Sequence, residues 1–250
     1  MIFYFSGTGN SYQAALALRG PGKALFDLAA CLRERRTSFA PQPEEAVGFV
    51  CPVYYGGLPS VVLDFVHRLT LAQQPAYCYG LLTCGGGPAG AAGMLQGSLR
   101  SRGIRLDAAF TVTMPDNYVL FYPIQEEDVR DALLEEAESA LEDIRGAVAR
   151  REPAGLPVYL KDWLKTQAMY PLYGRMRRTK KFYADDQCVG CGTCVRRCPA
   201  GAMVMEAGRP RWVEERCIHC MSCIRCGAVQ YGKSTIGKKR YTNPILKSCH

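Results

Sequence analysis

The sequence predicts a doubly wound α/β sheet followed by a small cysteine-rich α+β module. Three observations carry this. Residues 1–150 alternate short apolar runs with helical stretches. Eight of the 13 cysteines fall between positions 188 and 226. Charge divides at nearly the same place: residues 1–150 hold 12 Lys and Arg against 16 Asp and Glu, and residues 151–250 hold 19 against 7. Opposite signs point to two modules with separate jobs. The 250 residues suit one domain of about 150 residues plus a smaller one. A chain that is 48% hydrophobic and 22% charged is neither disordered nor collagen-like.

Candidate strands are Met1–Phe5, Ala24–Leu28, Ala46–Val53, Ala76–Thr83 and Ile104–Met114. Helical stretches near Ser11–Leu18, Ser60–Leu71 and Gly90–Arg102 lie between them, the alternation of a parallel sheet covered on both faces. Val129, Leu133, Ala137, Leu141, Ile144 and Val148 recur at three- and four-residue spacing, which predicts a closing helix. Glu126, Glu127 and Asp128 begin it and Arg145, Arg150 and Arg151 end it, as the helix dipole prefers. Pro153, Gly155 and Pro157 then break the chain. The expected organisation is a sheet domain over 1–151, a basic connector over 152–182, the cysteine module over 183–232 and a basic tail over 233–250. An amphipathic helix through Trp163 and Tyr170 is expected in the connector.

Two uncharged stretches, Ala46 to Leu63 and Leu71 to Leu99, are long enough to test as membrane spans. The first carries Pro52, Pro59 and Gly56-Gly57 and the second seven glycines, so neither makes a stable spanning helix. Met1-Ile2-Phe3-Tyr4-Phe5 lacks a positive n-region and reads as a first strand, not a signal peptide. A cytoplasmic chain is expected. In a reducing compartment, clustered thiols point to metal rather than to disulfides.

Cys188-Val-Gly-Cys191-Gly-Thr-Cys194-Val-Arg-Arg-Cys198-Pro199 is C-x2-C-x2-C-x3-C-P. Three thiolates at this spacing wrap three corners of a 4Fe–4S cube, and the fourth ligates the other cluster in two-cluster proteins. A zinc ribbon would use two separate CxxC pairs. Cys217-Ile-His-Cys220-Met-Ser-Cys223-Ile-Arg-Cys226 repeats the array at an offset of 29 through its first three cysteines. The expected ligand sets are Cys188, Cys191, Cys194 and Cys226 for one cube and Cys217, Cys220, Cys223 and Cys198 for the other. Cys226 follows at x2 instead of x3 and has no proline after it. Losing one residue turns a helical thiolate by about 100°. Cys226 is therefore the departure in the pattern, and a non-cysteine fourth ligand stays open.

Ser6-Gly7-Thr8-Gly9-Asn10-Ser11 links the first strand to the first helix. Glycines let backbone approach an anion, and hydroxyls add hydrogen bonds at the helix N-terminus. A Walker lysine is missing, and Tyr12 stands where G-x-G-x-x-G needs its third glycine. What is left is a neutral cradle for a phosphate monoester. Cys51-Pro52-Val53-Tyr54-Tyr55-Gly56-Gly57 follows the third strand and Thr83-Cys84-Gly85-Gly86-Gly87 the fourth. In a sheet of order 2-1-3-4-5 these loops meet at the carboxyl ends beside the switch point, where flavin binds. Tyr54 or Tyr55 would stack on the ring.

The loop Phe5–Ser11, Pro52–Gly57, the cysteine arrays and Gln230-Tyr231-Gly232-Lys233 together resemble the flavodoxin–ferredoxin fusion proteins. The resemblance implies a flavodoxin-like sheet with bound FMN joined to a two-cluster ferredoxin domain. It implies that Ser6, Thr8, Asn10 and Ser11 hold the FMN phosphate on the Gly7 and Gly9 backbone. Gly56 and Gly57 would then face the flavin N5 edge, and Gly85 to Gly87 the pyrimidine side. Pro52 and Thr83 flank these loops.

Cys31, Cys51, Cys78 and Cys84 read as small buried hydrophobes. Cys249-His250 reads as a frayed terminus and His67 as packing or surface. His219 stands between two ligand positions, either tuning a cluster or facing solvent. The basic half would offset cluster charge and steer an acidic redox partner protein; no motif supports nucleic-acid binding. The expected function is electron transfer between FMN, two 4Fe–4S clusters and that partner, with no catalytic residue assigned. The alternatives are an FMN-dependent oxidoreductase with a substrate pocket near Asp116, Asn117 and Tyr118, or an iron–sulfur sensor that has lost FMN.

Overall fold

The computed structural model describes residues 1–155 and 160–246. In chain order the N-terminal part comprises β1 (Ile2–Tyr4), α1 (Asn10–Ala17), β2 (Leu25–Asp27), α2 (Leu28–Arg33), β3 (Ser38–Phe39) and β4 (Ala46–Pro52). It continues with α3 (Ser60–Arg68), β5 (Thr70–Leu71), β6 (Tyr77–Cys84), α4 (Ala91–Arg100), β7 (Ala108–Thr113) and α5 (Glu127–Ala149). β2, β1, β4, β6 and β7 pair in that order, all parallel. Numbered among themselves these strands run 2-1-3-4-5, the flavodoxin order. β3 and β5 form a separate parallel pair, so the helix expected over Ser60–Leu71 ends at Arg68.

Pleating sends successive side chains to opposite faces. Phe3, Phe49, Leu82 and Ala109 enter the core shared with α2, α3 and α4. Ile2, Val50, Leu81 and Val112 enter the core under α1 and α5. Phe3 is fully buried among Phe26, Phe39, Phe49 and Phe65, with ring centroids 4.8 to 5.5 Å away. α2 is six residues long, too short for a readable period; its start is written in Asp27, whose carboxylate accepts from the Ala29 and Ala30 N–H groups. In α5, Ala137, Leu141, Ile144 and Val148 are buried as their spacing requires, whereas Val129 is exposed.

α6 (Leu160–Met176) leads to β8 (Phe182–Ala184), α7 (Thr193–Arg196), β9 (Met203–Glu206), β10 (Arg209–Trp212) and β11 (Val229–Tyr231). β8 pairs with β11 and β9 with β10, both antiparallel. Trp163 is 49% exposed while Thr166 and Tyr173 are buried, so the inward face of α6 is the Thr166–Tyr170–Tyr173 stripe. The two modules share their packing. Ile218 and Cys220 sit in the core of Phe3 and Phe49, and Val119, Leu120 and Ile124 pack with Phe182, Met221, Ile224 and Tyr231. The division by charge is thus not a division by contact. Among the described residues no helix is long and apolar enough to cross a membrane. Cys31, Cys51, Cys78 and Cys84 are buried and His67 is exposed; Cys249 and His250 lie outside the described residues.

Candidate functional site

The loops after β1, β4 and β6 open on one cleft of about 360 Å³. Ser6, Gly7, Thr8, Asn10, Ser11, Pro52, Tyr54, Tyr55, Gly56, Thr83, Gly85, Gly86 and Gly87 all line it. Gly9 and Gly57 do not: Gly9 backs onto Asn243, and Gly57 onto the Tyr170 ring and Met94. Asn10, Ser11 and Tyr12 open α1, so their N–H groups have no carbonyl one turn back. Gln13 is the first to find one, on Gly9 at 2.9 Å. Ser11 shares a 2.7 Å hydrogen bond with Thr83, and the Thr8 hydroxyl accepts from the Asn117 amide at 2.6 Å, which leaves its own proton to donate.

Tyr54 and Gly57 exchange backbone hydrogen bonds, and both residues between them, Tyr55 and Gly56, have positive φ. That is the signature of a type I′ turn, and a tyrosine in it is uncommon. The turn aims Tyr55 along the cleft wall, stacked on Tyr173 at 5.6 Å and edge-on to Tyr118 and Phe121. Tyr54 points inward, edge-on to Phe5 and Tyr173. Thr166 on α6 spans two loops, donating to the Gly56 carbonyl at 2.7 Å and accepting from the Gly90 N–H at 2.8 Å. Thr166→Val keeps the shape and leaves both groups unpaired. We expect it to cost about 1–3 kcal/mol, read as a lower Tm in a thermal melt.

His219 is buried and also lines the cleft. Burial pushes its imidazole down to about 4, so the ring is neutral near pH 7. Nε2 lies 3.3 Å from the Arg178 carbonyl, which can only accept, and so carries the proton. Nδ1 then accepts from the Tyr118 hydroxyl at 3.0 Å, which itself accepts from Tyr55 at 2.9 Å. A hydrogen-bonded chain therefore runs from the cleft wall into the second cysteine loop. Asp116 fills the space a Gly85 side chain would need, and burial raises its carboxyl.

The thiols form two groups. Cys198, Cys217, Cys220 and Cys223 line one small cavity. Burial pushes Cys217 up to about 11, and it also raises Cys220 and Cys223, with the neighbouring Cys198 adding to all three. Burial likewise raises Cys194, and Cys226 and then Cys188 add to it. Cys191 is exposed, its thiol lowered by Thr193. The missing residue before Cys226 is absorbed locally. Cys198 follows the α-helical turn α7, whereas Ile224–Cys226 is a 3₁₀ turn. Positions i and i+4 on an α-helix and i and i+3 on a 3₁₀ helix fall on the same side, so the tighter turn recovers the lost rotation. Backbone N–H groups of Ala202 and His219 donate to the Cys198 and Cys217 sulfurs, both at 3.3 Å. Among the described residues no three His, Cys, Asp or Glu side chains are grouped to hold a single metal ion. The donor chemistry is all thiol and fits an iron–sulfur cluster, whose iron would take the place of the thiol protons.

The lining also holds Phe121, Tyr122, Lys165, Met169, Leu172 and Tyr173, which local sequence reasoning does not single out, and His219, which it places beside a cluster and not on the cleft. Those on α6 had a signal in the Thr166, Tyr170 and Tyr173 spacing. His219 had none, because its access to the cleft depends on how the modules dock.

Residues 180–226 match the family model of the 4Fe-4S dicluster domain. A search of curated proteins gives no match. Among solved structures, the chain is similar to the Trp repressor binding protein from Bacillus subtilis, at 14% identity over 57% of this chain and 96% of that one, with a TM-score of 0.36. It is similar to an NAD(P)H:quinone oxidoreductase from Methanothermobacter marburgensis at 15% identity over 57% and 94%, TM-score 0.36. A Streptococcus pneumoniae flavodoxin matches at 16% identity over 58% and 96%, TM-score 0.33. The flavodoxin order of the sheet rests on its own strand pairing.

Proposed function

We propose that the chain is an electron-transfer protein of the flavodoxin–ferredoxin fusion type, with one FMN in the cleft and two 4Fe–4S clusters on the cysteine arrays. One observation carries the reading: the cysteine module forms a wall of the cleft. Gly7 of the phosphate-type loop lies against the Cys220 carbonyl, and His219 lines the same space. Bound there, FMN would supply two-electron uptake with one-electron release and each cluster one-electron transfer, a conversion between the two.

The residues supply position and exclusion. The N–H groups opening α1, with Ser6, Thr8 and Ser11, suit a phosphate. Tyr54, Tyr55, Tyr118 and Tyr173 keep water from the ring site, and the open backbone at Gly86 and Gly87 leaves room at its far edge. The array of Cys217, Cys220 and Cys223 with Cys198 is the one beside the cleft. The array of Cys188, Cys191 and Cys194 with Cys226 faces outward, with Cys191 and Cys226 exposed and Val189 87% exposed. This is the side from which a partner protein would be served, and the basic charge of residues 151–250 favours an acidic one.

Analysis of iron, sulfide and flavin on one anaerobic sample tests the reading. About eight irons and one FMN per chain are expected; a colourless chain carrying zinc would contradict it. Removing iron with a chelator is expected to weaken FMN binding by about tenfold or more, as loss of the wall built by Cys220 and His219 costs at least 1.4 kcal/mol, with free-flavin fluorescence as the readout. Asp116 supports a second reading, an oxidoreductase acting on its own substrate, since its raised carboxyl sits in the cleft. Steady-state turnover without a partner protein separates the two.

A further inference from the structure

The segment that leaves the cysteine module does not trail into solvent. It returns to the back of the phosphate-type loop. Arg240 is held to the cysteine module by the Ile224 carbonyl, the Gln230 side chain and the Thr235 carbonyl. Three residues later Asn243, 1% exposed, docks on the loop. Its backbone N–H donates to the Thr8 carbonyl at 2.8 Å. Its amide donates to Asn10 Oδ1 at 3.2 Å and to Gln13 Oε1 at 2.6 Å, and its own oxygen accepts from the Ile245 N–H. Tyr241, also buried, donates its hydroxyl to Asn10 Oδ1 at 2.8 Å. Gly9 has φ +110, and the place of its absent Cβ lies 2.6 Å from Asn243 Cβ.

Asn10 is thereby consumed as a strut. Its oxygen takes two donors from this segment, and its nitrogen donates to the Pro115 carbonyl at 2.9 Å. With the Thr8 carbonyl held from behind and the Thr8 hydroxyl turned by Asn117, the loop presents the Thr8 proton, the Ser6 and Ser11 hydroxyls and the N–H groups of α1 to the cleft, and the Asn10 amide is withdrawn from it.

We propose that Tyr241 and Asn243 are positioning residues of the flavin phosphate site, acting through Thr8, Asn10 and Gly9. The inference rests on the FMN reading above and extends it: the C-terminal strap sets affinity for the phosphate end of the flavin and leaves the ring end alone. It follows that the strap discriminates FMN from riboflavin, which differs only in lacking the phosphate.

The test is an anaerobic fluorescence titration of the full chain, clusters bound and flavin removed, with FMN and separately with riboflavin. Asn243→Ala removes the two hydrogen bonds its amide donates and the one its oxygen accepts, and is expected to weaken FMN about tenfold or more while riboflavin stays within about twofold. Tyr241→Phe removes one donor and keeps the ring, so it preserves the fold and is expected to weaken FMN about three- to tenfold. Unchanged iron content and cluster absorbance show that each variant is folded. Equal loss of both ligands would overturn the proposal, since a merely structural strap would do that. Unchanged FMN affinity in both variants, with wild type binding FMN, would overturn it and leave the FMN reading standing. A wild-type chain that binds neither flavin would sink both.

Discussion

Cys198→Ala is expected to remove about half of the iron, about four of eight atoms per chain, although Cys198 belongs by sequence to the first array. The reason is spatial. Its thiol lies with Cys217, Cys220 and Cys223 around one cavity, and it accepts from the Ala202 N–H at 3.3 Å, a bond that fixes it there. Without it the three remaining thiols around that cavity lack a fourth ligand. Cys226→Ala is the counterpart and is expected to remove the other cube, because its 3₁₀ turn carries it towards Cys194. Iron and sulfide analysis with EPR of the reduced proteins distinguishes the two variants. Loss of the outward cube in Cys198→Ala would show that each array keeps its own four ligands.

Gly7→Ala is expected to damage the contact on which communication between the modules depends. A Cβ at Gly7 would stand 2.1 Å from the Cys220 carbonyl oxygen and 3.0 Å from its carbonyl carbon. Backbone cannot swing aside as a side chain does, so the phosphate-type loop or the cysteine loop must shift, at about 1–3 kcal/mol. The expected result is a lower Tm, weaker FMN binding and slower electron exchange between flavin and clusters, all from one added methyl group. Gly86→Ala is the control: nothing lies within 4 Å of its Cβ position, and stability should be unchanged within about 0.5 kcal/mol. A Gly7→Ala protein with wild-type stability and flavin affinity would mean that the modules do not meet as described.

Much of this fold is legible in the sequence. Period-two burial in Ile2-Phe3 and Phe49-Val50 follows from continuous apolar runs, and the loops after three of the strands carry their own glycines and hydroxyls. These are local signals, readable within a dozen residues. What escaped depends on contacts across long stretches of chain. Thr166 reaches Gly56 over 110 residues, and Tyr241 reaches Asn10 over 231. No local pattern announces such a partner. Cys226 shows the converse limit. Its spacing was plainly odd, but the sequence could not show that a 3₁₀ turn absorbs the deletion. Tyr55 lines the cleft, and its positive φ, which aims it along the wall, is a feature of the folded turn.

The most direct test reduces the flavin photochemically in the anaerobic protein and follows cluster EPR after rapid freezing. A cube signal should appear within the time of flavin reoxidation in the wild type, and should be lost or strongly slowed in Cys198→Ala, where the cube beside the cleft is missing. Flavin that stays reduced beside intact, oxidised clusters in the wild type would contradict the account.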